Sequence, residues 1–221
     1  MVTGSWGLLT FQDMKMYTYV ITRDYGFAPN PFGGYCTLAT CKPLLRKIAK
    51  IGDWVIATGP KTSYRKPGYL FYAMKVDEKM AFNDYWNDER FQYKKPLFNG
   101  SLKQCFGDNI YHYNKTTNEW HQQDSHHSYE NGRINYSNLN KDTRFPFVLI
   151  SSHFYYFGKS NIEIPKIYMP ALCHNLRVPT FKEVDINICS KFIRWLEKNH
   201  DNGILDDPME FDRGFNRYSG N

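Results

Sequence analysis

KPLLRKIAKIGDWVIATG, residues 42–59, passes from a helical to an extended apolar period within a few residues, and so separates a sheet of short strands from a doubly wound fold. Leu44, Leu45, Ile48 and Ala49 recur at helical spacing, with Lys42, Arg46, Lys47 and Lys50 between them. Pro43 stands where a first-turn proline is tolerated, and Gly52 supplies the stop. Asp53 to Thr58 then reads as a strand ended by Gly59-Pro60. Its alternation sends Trp54 and Ile56 to one face and Val55 and Ala57 to the other.

The same short-element pattern holds on both sides. Upstream, residues 16–22 are β-branched and aromatic and predict a strand. Residues 26–34, GFAPNPFGG, cannot be a regular element, because two prolines remove donors and three glycines permit positive φ. Downstream, residues 61–66 form a basic loop, 68–76 a strand and 77–86 a short helix. The chain then turns polar and tyrosine-rich, with a hairpin expected through 109–113 and 119–122. Residues 145–151 and 154–158 read as strands, and 184–199 as the clearest helix. Short strands joined by irregular connections predict an α+β fold: a small twisted, mostly antiparallel β-barrel with flanking helices. Residues 1–14 read as a leader, 15–221 as one domain, and 99–141 as a polar insertion carrying loops.

Composition narrows the class. The 221 residues are 42% hydrophobic and 23% charged, which excludes disorder for the bulk of the chain. Aromatic residues reach 17%; they fill strand faces, and they also offer platforms on which bases stack. The net charge of +6 favours polyanionic partners mildly. Five cysteines without a CxxC pair do not make a secreted disulfide framework. No apolar run approaches membrane-spanning length, so no membrane partner is expected and the reading is cytoplasmic.

Residues 25–34 and the nearby Lys42, Arg46 and Lys47 form a candidate anion site, since glycines let backbone amides approach a phosphate. The phosphate-loop and dinucleotide fingerprints are absent. His121, Asp124, His126 and His127 are metal-ligand types, but they lack the fixed spacing of zinc sites; neither metal nor cofactor is expected. His153, after a buried strand, is a candidate acid or base, against the plainer reading of a hydrogen-bonded strand end. Cys36 and Cys41 are the remaining nucleophile candidates, against the reading of inert buried thiols. No GxSxG, HExxH or paired-carboxylate motif is present, so no catalytic set is legible.

The block DYGFAPNPFGGYCTLATCKPLLRKIAKIGDWVIATG (residues 24–59), with DERFQYKKP (88–96) and VLISSHFYYFG (148–158), resembles the second-type nucleotide modification associated domain. That resemblance implies service in prokaryotic or phage systems that modify or sense DNA bases, with partner proteins of a modification or defence system. The order of a short helix, a Gly52-Asp53 turn and a strand is also similar to the PUA-like group that includes EVE and ASCH domains. Domains of that group hold a modified base or nucleotide in an aromatic cleft.

Together these readings predict a module that binds a nucleotide or modified nucleobase, free or within DNA. The alternative is an enzyme acting on the same ligands. The expected cleft comprises Tyr25, Phe27, Asn30, Phe32 and Trp54 facing Tyr155 and Tyr156, with Thr58, Ser151 and His153 reading the base edge. Lys42, Arg46, Lys61, Arg65, Lys66 and Arg177 are the expected phosphate contacts.

Overall fold

The computed structural model describes residues 14–59, 67–174 and 181–218. Strand β1 (Met16–Val20) leads through the proline- and glycine-rich loop to β2 (Cys36–Leu38), then through helix α1 (Pro43–Ile48) into β3 (Trp54–Thr58). Strands β4 (Tyr69–Lys75) and β5 (Glu78–Ala81) are followed by helices α2 (Phe82–Asn87) and α3 (Leu102–Cys105). The hairpin of β6 (Tyr111–Asn114) and β7 (Glu119–Gln122) precedes helix α4 (Tyr136–Thr143). Strands β8 (Phe147–Ser151), β9 (Phe154–Tyr156) and β10 (Ile162–Glu163) come next. Helix α5 (Met169–Leu172), strand β11 (Lys182–Val184), helix α6 (Ile186–Asn199) and strand β12 (Gly203–Ile204) complete the order.

The larger sheet runs β11-β1-β3-β4-β9-β12, with β10 also against β4; the smaller runs β2-β8-β5. β1 with β3 and β9 with β12 are parallel, and the other pairs are antiparallel. One bent pair of chain segments carries both sheets, since β4 pairs β9 while β5 pairs β8. Bonds from Asp77 N to Ile150 O (2.9 Å) and from Lys75 N to His153 O (3.0 Å) hold the bend. The result is mixed α+β and mostly antiparallel. The larger ladder ends at β11 and β12, so the pairing among described residues does not close into a barrel.

β3 is buried on both faces, as its alternation requires. Val55 and Ala57 pack with Tyr17, Tyr19, Tyr72 and Leu149. Trp54 and Ile56 pack with Leu70, Tyr155, Phe192 and Leu196, beneath α6. Helix α6 starts where the Asp185 side chain accepts the Asn187 amide at 2.9 Å, and it buries Cys189, Phe192, Ile193 and Leu196. A third cluster gathers Tyr25, Phe27, Phe32, Tyr85, Phe91 and Phe106. No described helix is long and apolar enough to cross a membrane.

The helix expected over 77–86 is corrected. Glu78–Ala81 is strand, paired with β8 from Glu78↔Ile150 to Ala81↔Phe147, and the helix starts only at Phe82. The free edge of β8 takes up these backbone groups, and that pairing outweighs local helix preference. The expected hairpin forms, with Tyr111 facing Gln122. Within residues 99–141, the polar groups of Asn109, Gln122, Ser125, His126, His127 and Asn138 are buried.

Candidate functional site

A cavity of about 650 Å³ opens where five stretches of chain meet. The loop after β1 contributes Tyr25 and Phe27, and the approach to α1 contributes Cys41 and Lys42. The turn after β7 supplies His126 and His127, the end of α4 supplies Lys141 and Arg144, and the C-terminal stretch supplies Tyr218. Gly26 holds the first loop at φ +64, a conformation that disfavours a side chain. A Cβ there would also stand 2.7 Å from Pro208 and 2.8 Å from Phe32.

The rings form a contiguous cluster. Phe27 lies 5.0 Å from His126 and 4.7 Å from His127, Tyr25 lies 5.0 Å from His126, and Tyr218 lies 5.7 Å from His127. Around them stand Arg23, Lys42, Lys141 and Arg144, and the lining contains no Asp or Glu. Among the described residues, none of these four cations has a carboxylate within ion-pair distance. Lys42 lies 4.6 Å over the Tyr19 ring, and burial lowers its pKa. A desolvated ammonium beside three further cations makes a site for an anion.

One wall carries an ordered polar chain. Cys41 Sγ is 3.8 Å from His127 Nε2, and His127 Nδ1 is 2.8 Å from Asp142 Oδ2. Asp142 Oδ1 accepts the Cys41 amide at 2.8 Å, and Tyr111 donates its hydroxyl to Oδ2 at 3.0 Å. Burial works against charge on His127, but the carboxylate of Asp142 and the neighbouring Cys41 outweigh it and raise its pKa to about 9. Burial also opposes charge on Asp142, yet His127 and Arg46 hold its pKa below the usual value. His126, one residue away, differs: burial first, then the neighbouring His127, lower it to about 3. Its Nδ1 lies 2.6 Å from the Asn216 carbonyl, so as a neutral ring it donates there and leaves Nε2 an acceptor.

The turn that presents these histidines is tied down from three sides. Gln122 and Asn138 donate to the His127 carbonyl at 3.1 and 3.0 Å, and the Tyr218 amide donates to that of His126 at 2.7 Å. Arg217 bonds Asp124, Ser125 O and Ser128 Oγ at 2.6 to 2.8 Å. At the Cys41 end of that polar chain, Cys41 and Lys42 both have left-handed backbones, at φ 57 and φ 40. Such non-glycine conformations cost about 1–3 kcal/mol each and persist only where the surroundings enforce them. Arg46 is part of that enforcement. Its guanidinium donates to the carbonyls of Cys41 (2.8 Å), Asp142 (2.7 Å), Phe145 (3.0 Å) and Phe147.

Of the expected site residues, the structure brings Tyr25 and Phe27 of the cleft, the nucleophile candidate Cys41 and the phosphate contact Lys42 to this cavity, and places the other described ones elsewhere. Arg46 is fully buried on carbonyls, and no donor of it faces the cavity. Asn30 bonds Phe106 O and accepts from Lys94 Nζ at 2.7 Å. Phe32 packs on Phe211, and Trp54 is a core residue stacked at 6.4 Å on Tyr155. Tyr156 donates to Asp24 in the interior, and the buried Thr58 hydroxyl lies away from the cavity lining. Ser151 donates to His153 O, and His153 itself contacts Tyr155 and Trp54 on the α6 side of the sheet. Cys36 is wholly buried, and burial pushes its thiol pKa far up. Lys61, Arg65, Lys66 and Arg177 lie outside the described residues. Sequence reasoning missed Arg23, Asp142, Lys141, Arg144 and Tyr218 and weighed the paired histidines only as metal ligands. Among the described residues, no group of three His, Cys, Asp or Glu side chains is arranged to hold a metal ion.

The sequence model of nucleotide modification associated domain 2 matches residues 13–215. No curated protein and no solved structure matches the chain.

Proposed function

The chain belongs to the nucleotide modification associated domain 2 family, and on that premise we propose that its cavity binds a nucleotide or modified nucleobase, free or within DNA. The observation that carries this reading is the lining: aromatic rings and four cations, with no carboxylate among them. Aromatic faces take a planar base, with stacking of about 1–3 kcal/mol per base, while the cations take its phosphate. The neutral His126 ring leaves Nε2 as an acceptor for the base edge. In this reading the protein serves a DNA-modification or defence system in the cytoplasm, alongside that system's partner proteins. The fold is then a PUA-like one, supported by the succession of α1, the Gly52-Asp53 turn, β3 and β4.

Isothermal titration of the four deoxynucleoside 5′-monophosphates into the protein and its Lys42→Met and Arg144→Gln variants tests this. At least one nucleotide binds, and each substitution weakens it about tenfold, or ~1.4 kcal/mol. Absence of heat with every nucleotide, or affinity indifferent to both substitutions, removes the reading.

A further inference from the structure

We propose that the cavity is also catalytic, with Cys41 as nucleophile, His127 as its acid–base partner and Asp142 as the residue that positions the imidazole. The substrate class is an ester or carboxamide borne by the anionic, planar ligand. This deepens the nucleotide-binding reading and rests on it for the identity of the ligand, though not for the chemistry of the thiol.

Three independent observations carry the assignment. Of the five cysteines, Cys36, Cys105, Cys173 and Cys189 are buried, while Cys41 is partly exposed and lines the cavity. Cys41 and Lys42 hold adjacent left-handed conformations, which turn the thiol out of the chain at the cost of backbone strain. The imidazole facing the thiol is oriented through its other nitrogen by a buried carboxylate, the arrangement that activates a nucleophile and later protonates a leaving group. The 3.8 Å sulfur–nitrogen separation is of the loose kind that tightens when substrate binds.

The reaction balances with water alone. His127 Nε2 first takes the thiol proton and, as imidazolium, holds it while Sγ bonds to the carbonyl carbon and the carbonyl π pair moves onto oxygen. That pair returns, the bond from carbon to the leaving oxygen or nitrogen breaks, and His127 delivers the proton to the departing group. A thioester remains on Cys41. Water then gives one proton to His127 and bonds its oxygen to the acyl carbon. The carbon–sulfur bond breaks, and sulfur recovers the proton as the free acid leaves. The pKa of about 9 keeps the proton on the ring until the leaving group needs it. The titratable and charged groups around that ring are Cys41, Asp142, His126 and Tyr218, with Tyr111 and Arg46 bonded to Asp142.

p-Nitrophenyl acetate is the probe, read by nitrophenolate release and by peptide mass spectrometry. The native protein gives a burst and a single acetyl group on the Cys41 peptide. Cys41→Ser, which preserves shape, abolishes that thioester. His127→Asn slows acetylation at least tenfold and removes the pH limb that the imidazole imposes. Asp142→Asn shifts that limb toward lower pH, which a purely structural carboxylate would leave in place. Acetylation scattered over lysines, or a Cys41 rate unchanged in His127→Asn, overturns the proposal. Nucleotide titration of the Cys41→Ser protein keeps the two readings apart: binding without acetylation in the native chain sinks the catalytic reading alone.

Discussion

His127 and His126 are adjacent in sequence, yet one ring is held cationic and the other neutral, and their effects on stability run in opposite directions with pH. A histidine whose folded pKa is raised stabilises the fold fully below its unfolded value and loses that contribution as pH rises through the folded value. For His127 the window runs from 6.5 to about 9. His126, lowered to about 3, instead destabilises the fold progressively as pH falls from 6.5. Lys94, buried on the Asn30 and Tyr35 carbonyls and lowered to about 8, opposes the alkaline trend, so the variant must be compared with the parent at each pH. The stability gap between the native protein and His127→Asn narrows by up to ~3 kcal/mol between about pH 6 and pH 9.5, measured by urea unfolding. A gap constant with pH removes the charged His127–Asp142 pair. Neither partner was legible as such in the sequence, because 86 residues separate Cys41 from His127 and 101 separate it from Asp142. Trp54 was different. Its face followed from strand alternation alone, though whether that face met core or ligand did not.

At the scale of elements, the cavity depends on three pieces of chain held by one side chain. Arg46 grows from α1, and its four carbonyl partners lie in the Cys41 turn, at the end of α4 and at the start of β8. Placed on a helix among lysines, it reads in sequence as a phosphate contact, yet burial makes it a brace. Arg46→Met keeps much of the apolar volume but leaves four carbonyls without their donor. Each loss of a charged hydrogen bond in the interior costs about 1.5–3 kcal/mol, so the variant should lose at least ~3 kcal/mol in denaturant unfolding. The left-handed Cys41-Lys42 corner should relax with it, and Cys41 should lose its reactivity toward p-nitrophenyl acetate. A variant of native stability with undiminished thiol reactivity would falsify the bracing role. The elements themselves were largely readable where apolar period was strong, as in β3 and α6. Reading failed at residues 78–81, where pairing with β8 decides the conformation and no local signal announces it.

At the scale of the whole molecule, four cations and a cluster of aromatic rings converge on the cavity. The sequence showed the net charge of +6 and the abundance of rings, but not their convergence, because Arg23, Lys42, Lys141, Arg144 and Tyr218 come from four separate stretches. Arg23, Lys141 and Arg144 are exposed while Lys42 is partly buried, so three cations remain accessible to phosphates outside the cavity. A single-stranded oligonucleotide carries a condensed counterion atmosphere that a mononucleotide lacks. Each phosphate neutralised adds about −0.7 to the slope of log affinity against log salt. Three contacts therefore predict a slope near −2 for a short single-stranded DNA, and a shallow one for a deoxynucleoside monophosphate. Arg23→Gln, Lys141→Gln and Arg144→Gln should each reduce the oligonucleotide slope by about 0.7 and leave the mononucleotide slope little changed. Fluorescence anisotropy across a salt series measures both. Equal, shallow slopes for the two ligands would assign the cavity to a free nucleotide and withdraw it from the polymer. A steep slope that survives all three substitutions would place the DNA contacts on another face.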